Sequence, residues 1–173
     1  MSAFDRLVID RVDDGRFTVH RDALRDPALF ELEMRYVFGG TWIFLGLASQ
    51  APAAHDYFTT WIGRHPVVVS RSADGRLHAF LNTCRHRGSL VCQHASGNAK
   101  YHVCPYHGWA YDSSGRNINI KDAKEGAYSA AFEQEDHDLV PLPRFEEYRG
   151  ILFGSLNPQV HSLDEHLGEA RFF

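Results

Sequence analysis

Cys84-Arg85-His86-Arg87-Gly88 and Cys104-Pro105-Tyr106-His107-Gly108-Trp109 are the two stretches on which the reading of this chain turns. Each sets a thiol and an imidazole so close in sequence that one bent loop can aim both at a single place. Gly88 and Gly108 permit the sharp backbone path and close approach that such loops need, and Pro105 stiffens the second. Seventeen residues (87–103) separate His86 from Cys104, enough for the chain to leave and return as a paired loop.

Three readings of this donor set compete. Zinc takes two cysteines and two histidines tetrahedrally. Its usual sequence order, however, puts the two cysteines together and then the two histidines. A [2Fe–2S] centre of mixed ligation needs two cysteines on one iron and two histidines on the other. Interleaved Cys-His, Cys-His pairs deliver this, since each loop gives one ligand to each iron. The third reading is a chance gathering of structural cysteine and histidine without metal. Two spaced pairs, each followed by glycine, weigh against it. Donor chemistry favours the cluster; a zinc-stabilised module, colourless and redox-silent, stays as the alternative.

The rest of the sequence sets limits on this chemistry. There are 173 residues, 44% hydrophobic and 23% charged, enough for one domain with a core and an arm or two. The formal net charge is −4 with no basic run, so nucleic acid is not an expected partner. No apolar stretch approaches the ~20 residues that span a bilayer, and Trp42–Ala48, the longest, has strand length. The start, MSAFDRLVIDRVDDGR, carries acids and lacks the apolar core of a signal peptide. A cytoplasmic protein is expected. Three cysteines, Cys84, Cys92 and Cys104, argue against a disulfide framework. Of eleven histidines, His20, His55, His65, His78, His137, His161 and His166 sit among polar or turn residues and read as ordinary surface or hydrogen-bonded side chains.

Residues 1–20 are polar and weakly patterned. A helix follows, capped by Asp26, with Pro27 at its first position and Gly39-Gly40 at its end. Phe30, Met34, Val37 and Phe38 recur near one face, which is expected to cover a core. From Thr41 the texture is that of strands: Thr41–Leu47, Tyr57–Ile62, His65–Ser70, Leu77–Leu81, Tyr101–Val103, Trp109–Tyr111, Phe145–Tyr148 and Ile151–Leu156. Gly63-Arg64, Ala73-Asp74-Gly75 and Ser113-Ser114-Gly115 mark turns. Residues 121–138 read as a long surface loop, and Leu163–Ala170 as the start of a helix ahead of the apolar pair Phe172-Phe173. Many short strands with frequent turns predict a mainly β, antiparallel architecture.

Cys84-x-His86 and Cys104-x-x-His107 match the Rieske motif. The wider segments CRHRGSLVC and CPYHGWAYDSSG, with FGGTWIFLG, DYFTTWIGRHPVVV and YRGILFGSLN, resemble the large (α) subunit of bacterial aromatic-ring-hydroxylating dioxygenases over about residues 36–170. The texture is most similar to the benzoate, toluate, anthranilate and salicylate branch. The resemblance implies a Rieske fold of antiparallel sheets with the [2Fe–2S] cluster at the tip of two loops and its histidine edge outward. It implies an arm with a helix over 1–39, the Rieske domain over 40–157, and the start of a linker helix over 158–173. It also implies a reductase or ferredoxin as electron donor, with a small (β) subunit and further α subunits as partners of the full-length protein. The electrons of such a subunit pass to a mononuclear iron, held by two histidines and one carboxylate, that activates O2. The sequence ends where that catalytic domain would begin; His161 and His166, flanking Asp164 and Glu165, are the nearest imitation of its iron motif and lie in the linker segment. This segment alone is not expected to oxygenate. A stand-alone Rieske ferredoxin is the alternative. It would need little beyond residues 40–157, and the flanks favour the oxygenase.

Compared with respiratory Rieske motifs, Trp109 stands where a hydroxyl donor would be, and Ser89 and Tyr106 where a loop-bridging disulfide would be. Both changes imply a low potential. Trp109 is expected to cover the cluster or simply to pack in the core. Tyr111 is expected to hydrogen-bond near a cysteine sulfur or to pack there. Cys92 is expected to be a small buried thiol and not a ligand. Arg85 and Arg87 read either as a docking or charge-screening pair or as a solvated loop.

Overall fold

The computed structural model describes residues 7–172; residues 1–6 and Phe173 of the terminal apolar pair lie outside them. The strands are β1 (Val8–Arg11), β2 (Arg16–Val19), β3 (Ile43–Leu47), β4 (Asp56–Ile62), β5 (His65–Arg71), β6 (Leu77–Leu81), β7 (Ser96–Asn98), β8 (Tyr101–Val103), β9 (Ala110–Asp112), β10 (Asn117–Asn119), β11 (Arg144–Tyr148) and β12 (Ile151–Ser155). The α-helices are α1 (Pro27–Leu32), α2 (Ala130–Glu133) and α3 (Leu163–Leu167). Every strand pairing is antiparallel, in the orders β6-β5-β4-β7, β11-β12-β3, β10-β9-β8 and β1-β2. The mainly β, antiparallel expectation holds.

The four-stranded sheet is the middle layer. Val67, Val68 and Val69 on β5 are all fully buried, and because side chains alternate across a strand they divide between two cores. Val67 and Val69 pack with Leu45, Phe58, Ile62, Ala79, Leu142 and Leu152, beneath the β11-β12-β3 sheet. Val68 packs on the other face with Tyr57, Phe80, Cys84, Cys92, Cys104, Trp109 and Tyr111. The second core therefore carries the two cysteine-histidine loops directly. One follows β6, and the other joins β8 to β9.

The helix start is as expected: the Asp26 carboxylate accepts from the Ala28 and Leu29 N–H groups, with Pro27 in the first turn. The apolar face is a correction. α1 runs on into a π-helical stretch, Glu33–Phe38, where Gly39 N–H reaches back five residues to the Met34 carbonyl. That wider turn takes later side chains off a 3.6-residue stripe. Met34 and Phe38 lie near the Gly63 turn, but Phe30 and Val37 stay 45% and 47% exposed. The bidentate Arg64–Glu31 pair ties this arm to the β4–β5 turn.

Three further corrections concern elements. Residues within 1–20 form the β1–β2 hairpin, all of it exposed. β7 and β10 were not expected. The 121–138 segment is not only a surface loop, since it holds α2 and returns Tyr128 and Phe132 to the core beneath Trp109. At the C-terminal end, Val160 and Leu163 pack on Trp42, whose indole N–H donates to the His161 carbonyl at 2.8 Å. No helix among the described residues is long and apolar enough to cross a membrane.

Candidate metal centre

The two loops share one backbone design. Cys84 N–H donates to the Ser89 carbonyl and Gly88 N–H to the Cys84 carbonyl. Cys104 N–H donates to the Trp109 carbonyl and Gly108 N–H to the Cys104 carbonyl. Gly88 and Gly108 turn each loop at φ 71° and 74°, a left-handed region that side chains disfavour. Around Gly88 a methyl group would meet nothing within 4 Å. The backbone angle, not the space, is what requires glycine there.

These twin loops sort the four expected residues by kind. Cys84 and Cys104 are buried at the base, near enough that Cys104 acts directly on the Cys84 thiol. His86 and His107 lie above them, partly exposed, with ring centroids 4.6 Å apart. Among the described residues no three or more His, Cys, Asp and Glu side chains gather about one point in the way a single ion requires. A thiol pair beside an imidazole pair is the arrangement asked of two bridged irons.

Two observations fit metal ligation. His86 Nδ1 is buried with no hydrogen-bond partner, a costly state for a ring nitrogen unless its lone pair is used. Burial, His107 and Arg87 together push the His86 pKa down, toward the neutral imidazole that binds metals. In the metal-free chain burial pushes the Cys84 thiol up, against the Tyr111 hydrogen bond. Metal binding would displace that proton.

The surroundings hold the loops from both sides. Tyr111, fully buried on β9, places its hydroxyl 3.3 Å from Cys84 Sγ. That oxygen accepts the Arg85 N–H at 3.1 Å, so its single hydrogen is free for the sulfur. Both expectations for Tyr111 are met: it packs in the core, and its hydroxyl bonds the cysteine sulfur. Asn82 was missed: its buried amide accepts from the Val91 and Cys92 N–H groups and donates to the Cys92 carbonyl, pinning the far end of the first loop. A lone asparagine after a strand gives no sequence signal for this. Cys92 is buried and faces His102, Sγ to Nδ1 3.2 Å. Burial pushes its thiol up to about 12, which makes it a poor ligand or nucleophile. Arg85 and Arg87 are exposed beside His86 and take part in no ion pair among the described residues.

His161 and His166 are 5.6 Å apart between ring centroids, but the intervening Glu165 is spent locally. Its carboxylate accepts from the Ser162 N–H and hydroxyl in a capping box at the start of α3.

Residues 41–145 match the family model for the Rieske [2Fe-2S] domain, and the chain belongs to that family, whose cofactor is an iron–sulfur cluster. Among relatives, it is 44% identical to the toluate 1,2-dioxygenase subunit alpha of Pseudomonas putida, over 96% of this chain and 37% of that one. It is 40% identical to the anthranilate 1,2-dioxygenase large subunit of Acinetobacter baylyi, over 94% and 34%. Among solved structures, naphthalene 1,2-dioxygenase from Rhodococcus sp. bound to indole superposes with a TM-score of 0.81 at 35% identity, covering 90% of this chain and 35% of that one. The chain thus spans little more than a third of the relatives it matches.

Proposed function

We propose that Cys84, His86, Cys104 and His107 hold the [2Fe–2S] cluster, and that the chain is the electron-relaying part of an aromatic-ring-hydroxylating oxygenase α subunit. The orphaned His86 Nδ1 within a sorted pair of thiols and pair of imidazoles carries the ligand assignment. When bound, the cluster takes and gives one electron at a time. The buried cysteines anchor one side of it, and Tyr111 holds charge on the Cys84 sulfur by donating its hydroxyl hydrogen. The partly exposed histidines make the edge through which partners couple.

The relatives' names support the wider reading. Electrons would arrive from a reductase or ferredoxin and pass on to a mononuclear iron in a catalytic domain of the longer protein. There they would support O2-dependent hydroxylation of an aromatic acid. In that reading residues 1–39 are an arm, 40–157 the Rieske domain and 158–173 the start of a linker, in a cytoplasmic protein with β and further α subunits as partners. By itself this segment relays electrons and does not oxygenate.

Single alanine variants of the four residues test the assignment. Each is expected to lose iron, and Cys92→Ser to keep it. A Cys92 variant without iron, or a ligand variant with full iron and an unaltered spectrum, would overturn the ligand set. The wider reading is tested by mixing the iron-loaded chain with NADH and the reductase of an aromatic-acid dioxygenase. Bleaching of the cluster absorbance is expected, and none would count against this electron donor.

A further inference from the structure

His86 and His107 meet edge to face, yet each has an aromatic neighbour of its own. Tyr106 lies on His107, ring centroids 3.8 Å apart, and is 60% exposed. Trp109 stacks on His86 at 5.0 Å with planes 9° apart, and is 1% exposed. Behind it the indole meets three more rings nearly at right angles: His137 at 5.3 Å, Phe132 at 6.0 Å and Tyr128 at 6.4 Å. Tyr128 stacks on Phe132 at 4.6 Å, and His137 Nε2–H donates to the Phe132 carbonyl at 2.6 Å. These three side chains are partly exposed, so the ring array runs from the ligand to the surface. Trp109 Nε1–H has no hydrogen-bond partner; ring packing alone sets the indole plane.

We propose that the two histidines open on two separate electron-transfer ports. His107 couples through Tyr106 to one surface. His86 couples through Trp109 to a second, formed by Tyr128, Phe132 and His137 of the 121–138 segment. The inference rests on the reading that the four residues hold the cluster. A relay must accept from one partner and deliver to another. With one open edge the partners would take turns at it, whereas two ports let both stay seated. Packed rings give continuous van der Waals contact along the second route, and an electron crosses packed atoms more readily than a gap. The indole is neither oxidised nor reduced. One electron leaves an external one-electron donor, and the cluster's charge falls by one.

The test attaches a ruthenium polypyridyl photoreductant to the iron-loaded chain, in a Cys92→Ser background, at Glu133→Cys on α2 or at Tyr101→Cys on β8. Both positions are exposed. A flash with a sacrificial amine donor reduces the label, and the bleach of the cluster reports its reduction. Potentials and EPR spectra of every variant take out changes in driving force. Trp109→Leu is expected to lower the rate from the Glu133 label, relative to that from the Tyr101 label, several-fold; Trp109→Phe restores part of it. An unchanged ratio would overturn the second port. If Trp109→Leu holds too little iron to measure, the double variant Tyr128→Leu/Phe132→Leu, which leaves the four ligands untouched, gives the same ratio and the same decision. A parent chain that assembles no mixed-ligand cluster refutes the ligand reading instead, and iron and sulfide analysis shows this before any flash.

Discussion

Tyr111 and His107 are the two residues whose chemistry the account commits to most closely. Tyr111 donates to a cysteine sulfur, and such bonds stabilise the more negative, reduced cluster. Tyr111→Phe is expected to keep the iron and lower the reduction potential, read by protein-film voltammetry; an unchanged potential would remove Tyr111 from the tuning. His107→Cys exchanges a neutral ligand for an anionic one. Its potential is expected to fall from the Rieske range of about −150 to +300 mV toward the roughly −400 mV of all-thiolate centres. An equal or higher value would show that His107 is not a ligand. At this scale the two loops of the proposed site were legible in the sequence, because each loop's cysteine, histidine and glycine lie within six residues. Tyr111 could be named as a candidate but not resolved from core packing. Asn82 could not be found at all, since its role exists only where residues 91 and 92 return to it.

Among elements, long regular strands were readable, as were the three-residue β8 and β9 with their aromatic residues, whereas β7, β10 and the β1–β2 hairpin were not. β4, β5 and β6 carry enough β-branched and aromatic residues between clear turns to announce themselves. β7 (Ser-Gly-Asn) and β10 (Asn-Ile-Asn) have three residues each, none of them aromatic, and their glycine and asparagines read as turn residues. The β1–β2 hairpin has no buried face, so its sequence shows no alternation to read. The helical face failed at Val37 because a π turn breaks the spacing on which it was counted. The β9–β10 turn offers an element-level test. Gly115 has φ 84°, and a Cβ there would collide with the Phe80 ring. Gly115→Ala is expected to destabilise the chain by about 2–3 kcal/mol, visible as a lower denaturation midpoint at unchanged slope. An unchanged midpoint would show that this turn yields without cost.

In the whole molecule the middle sheet serves two cores, and the Val67-Val68-Val69 run is the sequence sign of a strand buried on both faces. One core is ordinary. The other is completed by Cys84, Cys104 and the loops they anchor, so the proposed ligand set would couple cofactor binding to folding. The iron-loaded chain is expected to melt several degrees above the metal-free chain in calorimetry. Coincident melting would mean that the loops are held without the cluster. That expectation, like the electron route, depends on one fact above all: what the four residues bind. The most direct measurement is iron and acid-labile sulfide per chain, with an EPR spectrum after dithionite reduction. Two irons and two sulfides, with the low average g of mixed imidazole and thiolate ligation, are the predicted result. Bound zinc with no EPR signal would contradict the account and make this a structural metal module with no redox role.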